Sequence, residues 1–245
     1  MTSSNPLAPQ ITHKHWQPIP EVSASVESFC NRNSFTNILE IGPGIVQFPL
    51  ATQFVGCNES ITDYIDMDLD VDKLPFEDKS LDFVYCRHTL EDIQNPDFVM
   101  REIIRVSNSG YIETPSPMVE ITKGVDGLEL TSQYAGYIHH RYIVWGDIEK
   151  CEIHFLPKYS AIIDNFIVRN NNQITDMLNS GPFPWNNYFI WNGQTPKIIM
   201  HKIVVNIRSD HFIEDYCNLL QESVNTCCRN NQYFYDIYLK PSLRK

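Results

Sequence analysis

The sequence predicts an open α/β sheet of mostly parallel strands, and three observations carry that prediction. Ile38-Leu39-Glu40-Ile41 is a short apolar run that leads into the tight turn Gly42-Pro43-Gly44. A strand running into a glycine-rich turn is how such a sheet brings its backbone close to a nucleoside ligand. Carboxylates follow at Asp63, Asp66, Asp68, Asp70 and Asp72. Two further apolar segments, Asp82–Cys86 and Tyr111–Thr114, then bracket a helical stretch. Near-continuous apolar strands alternating with helices are expected where both sheet faces are covered.

Each element has its own signal. Residues 1–20 are proline-rich and polar and read as an arm, and Glu21–Asn33 as a short helix. The first strand is predicted over Thr36–Ile41 and a helix over Gln47–Val55, with Pro49 tolerated in its first turn. Tyr64–Leu69 reads as strand two. Asn95-Pro96-Asp97 opens a helix with a cap residue followed by proline, and Phe98, Ile103, Ile104 and Val106 give it an apolar side. Pro115-Ser116-Pro117 breaks the chain after strand five. Tyr137–Trp145 and Cys151–Leu156 then read as an inserted hairpin around Gly146-Asp147, and Ala161–Leu178 as a helix. Tyr188–Trp191, Asn192-Gly193 and Lys197–Val205 form a closing antiparallel hairpin signal, and His211–Asn230 a last helix. The organisation expected is an N-terminal arm and helix over 1–35, then one domain over 36–245 with an insertion at about 116–160.

Composition narrows the function. A formal charge of −11 argues against a nucleic-acid partner, because polyanion binding is driven by Lys and Arg. No apolar run approaches membrane-spanning length, and the N-terminal residues lack a signal-peptide layout. Seven cysteines without CxxC spacing fit a reduced, cytoplasmic protein rather than a disulfide framework or zinc site.

Glu40-Ile41-Gly42-Pro43-Gly44, together with Leu74-Pro75-Phe76, Asp78, Ser80, Asp82 and Val84, resembles the class I S-adenosylmethionine (SAM) methyltransferases of the methyltransferase-11 type. The resemblance implies a Rossmann-like sheet, SAM as cofactor and methyl transfer as activity. It implies that Glu40 holds the methionine amino end and that Gly42, Pro43 and Gly44 pass beneath the ligand. An acid ending strand two would bind the ribose, with Asp68 the first choice and Asp66 the second. Asp70, four residues before Leu74, would meet the adenine. Arg87 and His88 would lie at the tip of strand four, where His88 matches the histidine of a common S-H-V-L-E-H variant. The chain departs from the family at Val46, where a third glycine is usual, at Asp92, which replaces a histidine, and at Asn108-Ser109-Gly110. The spacing around strand three is also compressed.

SAM carries a sulfonium and no phosphate, so its site needs carboxylates and close backbone rather than a cationic cradle. The missing third glycine and the LPF-x-D block disfavour a dinucleotide oxidoreductase. His88, His139 and Arg141 are the candidate catalytic residues, with His140 and Glu113 beside them; imidazole is suited to proton transfer near neutral pH. Strand alternation would send His139 and Arg141 one way and His140 and Tyr142 the other. No metal site is expected, since adjacent residues on a strand diverge and a third ligand is not evident. Trp185, Tyr188 and Trp191 could wall the acceptor pocket or pack in the core. The function expected is methylation, at oxygen or nitrogen, of a small or medium polar acceptor such as a sugar or nucleotide-sugar. The alternative is a catalytically inactive SAM-binding partner subunit.

Overall fold

A computed structural model describes residues 17–56, 64–126, 133–164, 172–202 and 211–243. In chain order its strands are β1 (Ile38–Ile41), β2 (Gln53–Gly56), β3 (Ile65–Asp66), β4 (Phe83–Arg87), β5 (Ser109–Pro115), β6 (Tyr142–Asp147), β7 (Glu152–Pro157), β8 (Asn186–Asn192) and β9 (Lys197–Met200). Six of them form the main sheet in the order β3-β2-β1-β4-β5-β8. The first five run parallel, and β8 pairs antiparallel with β5 from Ser109↔Asn192 to Pro115↔Asn186. This is the mostly parallel Rossmann-like sheet that the sequence predicts.

Two predicted elements are corrected. No helix follows β1: residues 42–52 are turns and bends, and the second half of the predicted helix Gln47–Val55 is strand β2. Phe48 donates its N–H to the Glu40 carboxylate at 2.9 Å, and Thr52 donates to Ile38 at 2.8 Å, which starts the parallel ladder at once. Pro49 also disfavours helical backbone at Phe48. Tyr64–Leu69 therefore holds the third strand, at the sheet edge, shortened to Ile65–Asp66. The residues directly after β2, 57–63, lie outside those described.

The second correction concerns the end of the sheet. β9 pairs parallel with β7, not with β8, so β8 alone completes the main sheet. β6 and β7 pair antiparallel from Tyr142↔Pro157 to Asp147↔Glu152 and form a three-stranded sheet with β9. Val205 at the end of the predicted strand lies outside the described residues.

The helices sit where alternation along the strands requires them. Helix α1 (Pro20–Arg32) buries Val22, Val26, Phe29 and Cys30 against Ile38 and Phe83, on the face that also receives Tyr85, Tyr111 and Phe234. Helix α2 (Pro96–Val106) covers the other face, packing Val99, Met100, Ile103 and Val106 with Leu39, Val84 and Ile112. That side also receives Val144, Ile153 and Phe155 of the small sheet. The opposite face of the small sheet, Ile143, Trp145 and Leu156, packs on α3 (Pro117–Glu120), α5 (Asn172–Asn179) and α6 (His211–Phe234). A single turn, α4 (Ser160–Ile162), precedes α5. Of the predicted helix Ala161–Leu178, the middle (165–171) falls outside the described residues.

Side chains tie the layers together. Asn231 donates to Asn186 O at 2.8 Å, fastening α6 to β8, while Asn187 accepts from Gly146 N at 3.1 Å and joins the two sheets. Arg105 of α2 reaches Leu74 O, Phe76 O and the Asp78 carboxylate, each within 2.9 Å. The LPF-x-D block is thus a brace between loop and helix. Trp185, Tyr188 and Trp191 are all buried in the core.

Candidate functional site

At the carboxyl ends of β1–β4 the chain leaves a cleft of about 560 Å³. Gly42 and Pro43 form its floor, Asp66, Met67, Asp68, Leu69 and Asp70 one wall, and His88, Thr89, Asp92 and Ile93 the other. This edge of an open parallel sheet is where ligands bind, because the loops there diverge to either side. Gly42 has φ +65°, and a Cβ there would lie 2.1 Å from Thr89 Oγ1. The position thus requires glycine for the turn and for the packing of Thr89 beneath it. Gly44 has open space around it and no such constraint.

Among the described residues, four aspartates, Asp66, Asp68, Asp70 and Asp92, line the cleft, and no Lys or Arg does. The wall is ordered by its own carboxylates. Asp68 accepts from Asp70 N at 3.0 Å, Asp72 from Asp68 N at 3.0 Å, and Asp70 from Asn95 N at 2.7 Å. The last bond pins the acidic loop to the start of α2.

A second recess lies beside it, lined by Glu40, Gly42, Gly44, Arg87 and His88. Glu40 is 3% exposed; burial pushes its carboxyl up to about 7, against the opposing effects of the Phe48 N–H and Arg87. A buried carboxylate held near its titration point suits a cationic ligand group that would draw it to the ionised form.

The tip of β4 gathers the remaining charges. Arg87 Nε donates to Glu113 Oε1 at 2.9 Å, and Asn186 and Tyr111 also donate to that carboxylate, both at 2.6 Å. Burial opposes ionisation of Glu113, but Arg87, His88 and the Tyr111 hydroxyl hold it down to about 2. Glu113 is thus a fixed anion, with no proton to give or take near neutral pH. His88 adopts a left-handed backbone with φ 48°, uncommon for a non-glycine residue and often found where a site dictates conformation. Its ring stands 3.5 Å from Glu91 and 3.8 Å from Glu113. Burial disfavours the imidazolium, yet these two carboxylates raise its pKa above the usual 6.5. Among the described residues His88 Nε2 and both Glu91 carboxylate oxygens are buried without a hydrogen-bond partner.

Behind the His88–Ile93 wall lies a cluster from residues 116–160, tied to it by the Arg141 and Tyr142 N–H groups on Glu91 O. Ser116 caps α3 by accepting from Val119 N, so the predicted break at Pro115-Ser116-Pro117 is a helix start. Glu120 at its end is 1% exposed and takes His140 Nδ1 at 2.7 Å and Lys158 Nζ at 2.5 Å. Gly136, at φ +63°, passes over this group; a Cβ there would lie 2.5 Å from Glu120 Oε2. Residues 137–141 form a turn rather than the predicted strand, which begins at Tyr142. Alternation therefore does not apply. His140 points inward to Glu120, while His139 and Arg141 are exposed and outside the cleft lining. Arg141 donates from Nε to Asp92 O at 3.0 Å, and its backbone N–H to Glu91 O at 2.8 Å.

The structure thus brings together Gly42, Pro43, Asp66, Asp68, Asp70 and His88 in one cleft, with Glu40, Gly44 and Arg87 in the adjoining recess. His139 and Arg141 reach that cleft only through Asp92. Sequence reasoning missed Thr89, Glu91, Glu120 and Lys158. Thr89 and Glu91 sit in the Cys86–Asp92 segment already singled out, but Glu120 and Lys158 meet across 38 positions and share no motif.

A family model described as a methyltransferase domain matches residues 40–112, from β1 to β5. Among solved structures, an S-adenosylmethionine-dependent methyltransferase from Mesorhizobium loti is 19% identical, covering 35% of this chain and 50% of that one at a TM-score of 0.30. One from Clostridium acetobutylicum is 12% identical, covering 43% and 54% at 0.33. One from Thermotoga maritima, described as a possible histamine N-methyltransferase, is 22% identical, covering 38% and 50% at 0.30. The chain spans about half the length of these structures. No curated protein matches it. The Glu40–Ile112 match gives the β1–β5 part of this chain the sequence signature of a methyltransferase domain.

Proposed function

We propose that this chain binds SAM in the Gly42–Asp92 cleft and methylates, at oxygen or nitrogen, a small or medium polar acceptor bound outside that carboxylate lining, for example a sugar or nucleotide-sugar. The observation that carries this reading is a nucleoside-sized cleft at the strand ends lined, among the described residues, by four aspartates and no Lys or Arg. Such a lining repels phosphates and favours a cationic, phosphate-free nucleoside. When bound, SAM supplies an activated methyl group on a sulfonium, so the protein's task is largely one of placement.

In this proposal Glu40 receives the methionine ammonium, and Asp68 or Asp66 accepts the ribose hydroxyls. Asp70 already accepts from Asn95 N, which leaves its second oxygen for the adenine edge. His88, at the boundary of both recesses, takes the acceptor proton, and Glu91 and Glu113 stabilise the imidazolium that results. Arg141 is a positioning residue that holds the Asp92 backbone, and His139 flanks the acceptor entrance. The acidic surface, with a charge of −11, supports a small-molecule substrate over nucleic acid. Among the described residues no helix is long and apolar enough to cross a membrane.

The test is a mass-spectrometric assay of S-adenosylhomocysteine formed from SAM over a panel of sugars, nucleotide-sugars and polar amines. Product expected with at least one acceptor should fall by at least tenfold in His88→Ala. Turnover that His88→Ala leaves unchanged would remove His88 as the base.

A further inference from the structure

We infer that Asp92, His139 and His140 form a binding site for a divalent first-row transition metal ion at the acceptor end of the cleft. One donor atom from each lies within 4.8 Å of the others. Two imidazoles and a carboxylate are a donor set suited to zinc, iron or manganese, and unsuited to the all-oxygen preferences of magnesium and calcium. Expecting no metal here rests on the two histidines diverging along a strand. The turn at residues 137–141 removes that premise, and the two rings stand 4.5 Å apart at 78°.

The surroundings are those of a built site. His140 Nδ1 lies 2.7 Å from the buried Glu120 carboxylate, which fixes that nitrogen as the donor and leaves Nε2 as the free lone pair. Nε2 faces Asp92 Oδ1 at 4.0 Å. A carboxylate behind a ligating imidazole is the usual second support of such sites, since it sets tautomer and ring orientation. Glu120 is itself locked by Lys158 Nζ, which also donates to Tyr137 O at 2.6 Å. Asp92 is held from behind by Arg141 Nε on its carbonyl oxygen.

The remaining adjustment is small. Ligands about 2.0–2.1 Å from a tetrahedral ion stand about 3.3 Å apart, so the 4.0 Å His140–Asp92 gap must close by roughly 0.7 Å, and a pair at the 4.8 Å limit by roughly 1.5 Å. Asp92 and His139 are exposed and can make that movement, while His140 stays fixed. Three ligands leave a coordination position open, and Asp92 lines the cleft. An acceptor oxygen could take that position. Metal binding itself does not depend on the methyltransferase reading, and its test needs no SAM.

Full-length protein stripped with chelator is titrated calorimetrically with zinc chloride, with magnesium chloride as control. One zinc site of micromolar affinity or tighter is expected, with no magnesium binding. His139→Ala and Asp92→Asn should each weaken zinc at least tenfold while the melting temperature of the metal-free protein stays unchanged. His154 and His201 form a second histidine pair, 3.1 Å apart, and serve as the control. His201→Ala should leave zinc affinity intact. Absence of zinc binding, parental affinity in both site variants, or loss of binding in His201→Ala overturns the assignment.

Discussion

The cleft and the charged cluster packed behind its His88–Ile93 wall are built in opposite ways. The cofactor side, Glu40 to Asp70, uses a glycine turn and carboxylates arranged by bonds to near neighbours, such as Asp68 to Asp70. The cluster behind the wall is assembled by side chains distant in sequence: Glu120 meets His140 across 20 positions and Lys158 across 38. On the first side most acids face water and bear little of the fold. On the second, charges are buried and hold each other in place. Local motif thus shapes the cleft, and tertiary pairing shapes the cluster behind it.

Mutations that treat the two sides alike would break this comparison. The largest expected effect is on the buried side. Glu120→Ala strands a Lys158 ammonium that is 1% exposed, and should cost about 3–5 kcal/mol of stability in urea unfolding. Asp66→Ala, on the exposed edge, should cost under about 0.5 kcal/mol. Similar costs for both would erase the distinction.

Glu40 is the exception on the cofactor side, because it is buried. Its folded pKa of about 7 lies above the ordinary 4.5, so between those values the folded state holds the proton more tightly than the unfolded chain. Stability should therefore fall as pH rises from about 4.5 to about 7, by about 3 kcal/mol in all. Glu40→Gln should flatten that part of the stability profile. A variant with the parental slope would assign the titration to another group.

Asp68→Ala should cost roughly 1.5–3 kcal/mol of SAM affinity through lost charge-assisted hydrogen bonds. If Asp66→Ala loses that affinity and Asp68→Ala does not, Asp66 is the ribose ligand. The smallest effect on cofactor binding is expected behind the wall. Arg141→Ala and His139→Ala should hold SAM affinity within about threefold, under roughly 0.7 kcal/mol, while methyl transfer falls by at least tenfold. Equal loss of SAM binding in both would move them to the cofactor side.

What was legible in the sequence follows the same division. The Ile38–Ile41 strand, the Gly42 turn and helix α2 declared themselves because each depends on neighbours in the chain. The stretch after Gly44 misled. Its apolar residues suit a helix, but the Glu40 bond to Phe48 N and Pro49 turn it straight into β2. The Tyr137–Arg141 turn was read as strand because its aromatic and branched residues favour one; its inward histidine answers to Glu120, which lies 20 residues away. The partner of Lys197–Met200 was equally hidden, since the Asn192-Gly193 turn signals a reversal but not that the next strand joins another sheet.

The central claim is that the carboxylate-lined cleft is a SAM site. Calorimetry of the full chain with SAM, S-adenosylhomocysteine and NAD tests it most directly, with Gly42→Val alongside. SAM and S-adenosylhomocysteine should bind with no appreciable NAD affinity, and Gly42→Val, with circular dichroism still showing the folded spectrum, should weaken both at least a hundredfold, about 2.7 kcal/mol. Tighter binding of NAD than of S-adenosylhomocysteine, or a folded Gly42→Val protein with parental affinity, would contradict it.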